Sequence, residues 1–361
     1  MVGNRGPARL VTTRARGRLA PLSRRFGVLT TVAVHACLAS SIATGRAGAQ
    51  SPGPVSCNAT AAVPPPALTW QGAVVRWSEW PIRLGERGIP VRLVIVTFDP
   101  ARLRLSLDIA RDEGTLAPWS IDLSPADARV ALNAGQFSDD GPWGWVVHRG
   151  REWQAPGTGT LAGALIVDTS GAVRIIPAAD ISSWRSSGAV LEAVQSYPTL
   201  LEGGGRLPAA LCRGASGVNL THRDARLAIG VRRDGHVVIA MSRYDGTALP
   251  DRLPIGPTTP EMADLMRRLG ALHAVMLDGG LSAQLLVRTR ADGPTRRWPG
   301  LRSVPLALVG REITTSSATV PVVPPTPSRY SSGSPTSSGS STGRAITARA
   351  RAAYGTGTST K

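Results

Sequence analysis

The chain has 361 residues, of which 42% are hydrophobic and 18% charged, so a wholly disordered or collagen-like polymer is excluded and a sizeable core can be buried. Its 41 Lys and Arg against 24 Asp and Glu give a formal charge of +17, yet residues 1–49 hold eight Arg and residues 313–361 hold four Arg and Lys361, with no acid in either stretch. The 28 bases and 24 acids between them nearly balance, so a nucleic-acid partner, which needs clustered bases on a folded face, loses its main support.

Residues 1–49 read as an export signal. Arginines run to Arg25, an apolar run follows over residues 26–43, and Ala47-Gly48-Ala49 gives a small-residue cleavage site before Gln50. Ser23-Arg24-Arg25-Phe26 also resembles a twin-arginine signal. The apolar run is interrupted by Thr, His and Ser, which argues against a membrane anchor, and no stable span is expected after the signal is removed. The expected location is therefore exported, secreted or in the cell envelope. Cys37 falls inside the signal, which leaves Cys57 and Cys212 as an even pair in an oxidising compartment and predicts a disulfide between them.

Residues 50–69 form a linker and residues 70–312 one domain of ordinary size. Strand signals outnumber helix signals there, so the expected class is α+β: a mixed, largely antiparallel β-sheet core with a few flanking helices. Residues 92–98 are β-rich, and residues 103–109 alternate with period two. Residues 164–167 and 172–176 flank Asp168-Thr169-Ser170-Gly171, and residues 227–231 and 236–240 flank Asp234-Gly235, so each pair predicts a β-hairpin. A helix is predicted over residues 260–269, capped by Thr259, with Met262, Leu265, Met266 and Leu269 on one face and Gly270 at its end. The short apolar run at 272–277 then leads straight into Asp278-Gly279-Gly280, placing an acid at the end of a buried strand. From residue 313 the chain turns to Ser, Thr, Pro and Gly and predicts a disordered tail.

Four segments stand in a telling order: Leu132-Asn133-Ala134-Gly135-Gln136-Phe137, Gln195-Ser196-Tyr197-Pro198-Thr199-Leu200, Arg226-Leu227-Ala228-Ile229-Gly230, and Leu277-Asp278-Gly279-Gly280-Leu281-Ser282. Together they resemble the phosphodiester glycosidase family, whose patterns are similar to N-G-G-F-F, Q-S-G-P-L-L, R-T-A-I-G and L-D-G-G-G-S-S, over about residues 90–310. The sequence departs from that pattern at Gln136, where an aromatic residue is usual, at Tyr197, which interrupts a Gly-Pro turn, and at Leu281-Ser282-Ala283. The resemblance implies an exported hydrolase that splits a sugar 1-phosphodiester into free sugar and a phosphomonoester, acting on a cell-surface or extracellular polysaccharide.

Such chemistry needs a proton donor or base at the anomeric carbon and donors that hold the phosphate. Asp278 is the first candidate for acid/base work, because it sits on a rigid strand end with Gly279 and Gly280 letting backbone N–H groups approach an anion. Arg226 is the candidate phosphate clamp and Asn133 the candidate contact to a sugar hydroxyl or water. Gly135, Ser196, Gly279, Gly280 and Ser282 complete the expected substrate-binding set. Glu202 stands among glycines and reads as a solvated turn residue; His222 and Asp224 precede Arg226 and are able to join the site. Trp143, Trp145 and Trp153 follow the Asn133 segment, where exposed indoles would line a sugar cleft, whereas Trp70, Trp77 and Trp80 read as core. No cofactor is certain; no histidine pair has helical zinc spacing, and carboxylates leave room for a Ca²⁺ or Mg²⁺ ion. Two other readings compete: a non-catalytic wall-polysaccharide or teichoic-acid binding protein on the same fold, and a metal-dependent phosphodiesterase that cuts the far side of the phosphate.

Overall fold

The computed structural model describes residues 66–313, apart from 110, 113, 114, 117, 140, 213–216, 248, 249 and 291. The expected signal, most of the linker, Cys57 and the tail beyond residue 313 lie outside these residues. Cys212 is disulfide-bonded.

In chain order the strands are β1 (Val75–Leu84), β2 (Ile89–Phe98), β3 (Leu103–Ile109) and β4 (Ala128–Asn133). Next come β5 (Val146–His148), β6 (Arg151–Gln154), β7 (Ala164–Asp168), β8 (Val173–Ile176), helix α1 (Ile181–Ser187) and β9 (Val190–Gln195). After β10 (Thr199–Leu201) and the helical turn α2 (Ala209–Cys212) follow β11 (Leu227–Arg232), β12 (Val237–Tyr244), α3 (Thr259–Arg268) and β13 (Ala271–Met276). The last three are β14 (Leu285–Arg288), β15 (Thr295–Trp298) and β16 (Leu306–Glu312).

These strands build one six-stranded sheet, β1-β2-β12-β11-β13-β10, and two five-stranded sheets, β6-β5-β9-β7-β8 and β15-β14-β4-β16-β3. Every ladder between them is antiparallel. The fold is therefore mostly β, with less helix than an even α+β balance implies. The strand expected at 103–109 is β3, and both expected hairpins form, with Val167 opposite Val173 and Val231 opposite Val237. Strand β1 escapes sequence reading because it carries Pro81 and four charged or polar residues. It is tolerated because β1 is a sheet edge, where a missing N–H donor breaks no interior ladder.

The three sheets enclose one core. Val94 and Val96 of β2 and Ile229 of β11 face inward to meet Leu105, Leu132 and Leu308 of one five-stranded sheet and Val146, Leu165 and Val194 of the other. The alternate residues of β2, Leu93 and Ile95, face the other way and are covered by Met262, Leu265 and Met266 of α3. Burial on both faces explains why β2 reads as an unbroken apolar run rather than an alternation. Helix α3 starts one residue earlier than expected: Thr258 is the cap, its Oγ1 accepting from the Glu261 N–H at 3.3 Å while the Glu261 carboxylate accepts from the Thr258 N–H at 2.9 Å. Thr259 is buried inside the first turn.

The sheets meet at one end of this core. There the Asp278 N–H donates to the Ala134 carbonyl beyond β4 (3.1 Å), the Leu277 N–H to Leu227 of β11 (2.8 Å), and the Met276 N–H to Pro198 beyond β9 (3.0 Å). The segment after β13 is thus fixed by three different strand ends, and whatever Asp278 does, it does from a rigid position.

Candidate active site

Asn133, the last residue of β4, is fully buried. Its Nδ2 donates to the Asp278 carbonyl (2.7 Å) and its Oδ1 accepts from the Gln284 N–H (2.9 Å). The side chain expected to contact a sugar hydroxyl or water is a brace across both sides of the Asp278 loop. Asn133→Ala leaves a buried carbonyl and a buried N–H without partners, so unfolding free energy should fall by about 2–4 kcal/mol, measured by denaturant titration. A loss within error of zero would show that the brace is dispensable.

Gly135 and Ser196, expected among the substrate contacts, both make structural contacts beside this loop. A Cβ on Gly135 would lie 2.7 Å from the Gln195 carbonyl, so only glycine allows β4 and β9 to end side by side. Ser196 is fully buried and its hydroxyl donates to the Met276 carbonyl (2.5 Å). The two departures from the family pattern at 136 and 197 are coupled: Gln136 Nε2 donates to the Tyr197 carbonyl, and its Oε1 lies 3.2 Å from the Ser196 hydroxyl. The Gln195 amide makes four bonds, to Trp145 N, Gly157 N, Gly157 O and Ala162 O, and fastens the neighbouring loops.

Asp278 remains half-exposed at the centre of this framework. Burial pushes its carboxyl above the usual range; the buried Ser282 hydroxyl, the Arg302 charge and the Gly279 N–H oppose that shift, and the negative charge of Asp224 adds to it. Ser282 thus orients the carboxylate. Gly279 and Gly280 set the turn: a Cβ on Gly279 would lie 2.5 Å from the Ala225 carbonyl, and Gly280 has φ +57° with its Cα facing the Asp224 carboxylate.

Asp224 is the carboxylate that sequence reasoning left on the margin. It lies just before β11 and is brought against the Gly279-Gly280 turn by the Gly280 N–H bond to the Ala225 carbonyl (2.8 Å). Burial raises its carboxyl too, against the Arg226 charge, the Ala225 N–H and the His222 charge. His222 is exposed, with Nε2 3.8 Å from Asp224 Oδ2. Both carboxyls are thus raised by burial, and the charge of Asp224 acts on Asp278.

Arg226 lies at the same patch, but not as a free clamp. Its Nε donates to the Pro257 carbonyl (3.1 Å) and one Nη to the His222 carbonyl (2.8 Å), so two of its five N–H donors hold its own loops. What it contributes is the charge that offsets the burial of Asp224. Arg302 is the cation that the sequence did not single out. It is exposed, stacks its guanidinium 4.5 Å over the Phe137 ring, and acts electrostatically on Asp278.

The other candidates lie elsewhere. Glu202 belongs to a turn closed by backbone bonds to Arg206, and His148 Nδ1 is 2.9 Å from Glu192 Oε2 away from Asp278. Trp145 is buried core, its indole N–H bonded to Glu152 (3.0 Å), while Trp77 is core as expected, edge-on to Trp298. Among the described residues no group of three or more His, Cys, Asp or Glu converges as a metal site, and no helix is long and apolar enough to cross a membrane. Two clefts of about 570 and 540 Å³, one against α3 and one against β3, do not contain Asp278.

Linkage gives the site a stability signature. A carboxyl whose folded pKa exceeds its unfolded value contributes stability that is present below the unfolded value and is lost as pH rises through the folded one. Asp278→Asn mimics the neutral form, so its melting temperature should exceed that of the wild type at pH 8, and the gap should close near pH 4. Scanning calorimetry at both pH values checks this, and a variant no more stable than the wild type at pH 8 would contradict it.

A sequence profile of the phosphodiester glycosidase family matches residues 126–309, half of the chain and all of the site. The chain belongs to this family. A solved structure agrees in fold. The catalytic domain of zebrafish N-acetylglucosamine-1-phosphodiester alpha-N-acetylglucosaminidase, described as auto-inhibited by its pro-peptide, is similar at 16% identity and TM-score 0.53, covering 68% of this chain and 88% of that one. A hypothetical protein from Synechocystis is similar at 17% identity and TM-score 0.45, covering 69% of this chain and 64% of that one. A search of curated proteins finds no match. Membership in the phosphodiester glycosidase family points to hydrolase chemistry on a glycan.

Proposed function

We propose that this chain is an exported hydrolase that cleaves the bond between an anomeric carbon and a phosphodiester oxygen, on a cell-surface or extracellular glycan, releasing free sugar and a phosphomonoester. The observation that carries the reading is the Asp224–Asp278 pair. Glycoside hydrolysis calls for two carboxyl groups that hold different protonation states at one pH, one to give a proton and one to activate water or attack the anomeric carbon. Burial raises both carboxyls here, and the charge of Asp224 raises Asp278 further, which favours a protonated Asp278 beside an Asp224 whose ionised form Arg226 supports. Asp278 performs the acid/base step in contact with substrate; Ser282 and Asn133 hold it, and Arg226 keeps Asp224 chargeable within a partly buried patch.

Product analysis by mass spectrometry tests this directly. Incubated with N-acetylglucosamine and glucose 1-phosphodiesters, the protein should release free sugar and a phosphomonoester, with or without a chelator. A sugar 1-phosphate as product would instead place the cut on the far side of the phosphate, and saturable glycan binding without product would identify a binding protein.

A further inference from the structure

We infer that Arg302, stacked on Phe137, is the residue that holds the phosphate of the aglycone, a role that rests on the phosphodiester reading and deepens it. Three observations carry the assignment. First, the cation first expected to do this, Arg226, spends its Nε and one Nη on backbone carbonyls. Second, the Arg302 side chain has no hydrogen-bond acceptor and no ion pair among the described residues, although its charge is felt by Asp278. No ion pair within 4 Å closes between Arg302 and Asp278, so the guanidinium is not consumed by the reacting carboxyl. Third, the arginine is held in place without using its N–H groups.

That placement is built from several elements. The Arg302 N–H donates to the Leu281 carbonyl of the Asp278 loop (3.0 Å), and the Arg302 carbonyl accepts from Gln284 Nε2 (3.4 Å). Buried Arg243 donates to the Pro299 carbonyl (2.7 Å), and a Cβ on Gly300 would lie 3.0 Å from the Leu281 carbonyl, so the strand-to-strand loop that carries Arg302 is packed against the loop that carries Asp278. Phe137 lies under the guanidinium face. Stacking of that kind fixes the plane while all five N–H groups remain at its rim, which suits a tetrahedral oxyanion better than a mobile ammonium does. Asp224 meets the turn at Gly280, and Arg302, stacked on Phe137, is bonded at Leu281; in this assignment the phosphate side of the scissile bond is the Arg302 side.

The test is equilibrium binding of inorganic phosphate to the full chain by calorimetry at low ionic strength, with wild type, Arg302→Met and Phe137→Leu. Because Arg302 is exposed and its side chain bonds to nothing else, the methionine variant should keep the wild-type melting temperature while its phosphate affinity falls by about tenfold or more. Phe137→Leu, which removes the stacking face and keeps the charge, should lose about threefold. Equal affinity in wild type and Arg302→Met, or a folded wild type that binds no phosphate, overturns the assignment. The hydrolytic reading stands or falls separately. Phosphate binding that depends on Arg302 in a protein that releases no free sugar would sink that reading alone, whereas full turnover by Arg302→Met would sink the phosphate site alone.

Discussion

Asp278→Asn should lower kcat/KM on a sugar 1-phosphodiester by about a thousandfold or more while the protein stays folded, the middle to upper range for the loss of a positioned acid/base group. Asparagine keeps the size of the side chain and its capacity to accept from Ser282 and the Gly279 N–H, so the loss is of proton transfer and not of shape. The loss should appear in kcat more than in KM, because the proton moves only as the bond breaks. The rise in melting temperature expected at pH 8 is the control: a variant that is inactive and more stable has lost function, not fold. Turnover within about tenfold of wild type would remove Asp278 from the acid/base role.

The parts of the fold legible in the sequence are those where one force dominates. Apolar runs flanking an Asp-Gly or Asp-Thr-Ser-Gly turn made both hairpins legible, and strand β3 was readable to its ends from its period-two alternation. Strand β1 was not, because an edge strand with Pro81 has neither the alternation nor the propensity, and its pairing with β2 is a tertiary fact. The site shows the same division. Asp278 was readable because an apolar run delivers it to a Gly-Gly turn. Asn133, Gly135 and Ser196 were read as ligand contacts because invariably shaped turns and binding loops use the same residue types. What separates the two is whether the polar atoms are already satisfied by backbone, which no spacing reveals. Asp224 and Arg302 are 54 and 24 residues away from Asp278 along the chain. Their partnership with it depends on the Gly280 bond to Ala225 and on the Leu281 carbonyl bond to Arg302, and neither bond leaves a sequence signature.

Asp224→Asn carries the second large effect and separates a coupled pair from two independent carboxylates. If Asp224 supplies the complementary protonation state, kcat/KM should fall by about a hundredfold or more. The residual activity should also carry a displaced pH profile. The Asp224 charge raises the Asp278 carboxyl, so removing that charge lets the Asp278 pKa fall, and the limb of the kcat/KM profile set by Asp278 should move to lower pH. The linkage that applies to Asp278 applies to Asp224 as well: burial raises its carboxyl in spite of the Arg226 charge, so the ionised form is disfavoured in the fold and Asp224→Asn should melt no lower than the wild type at neutral pH. Loss of turnover in either variant is then a loss of chemistry and not of fold. A profile that keeps its limb in place after Asp224→Asn would mean that the two carboxyls do not sense each other, and the acid/base step would then belong to Asp278 alone.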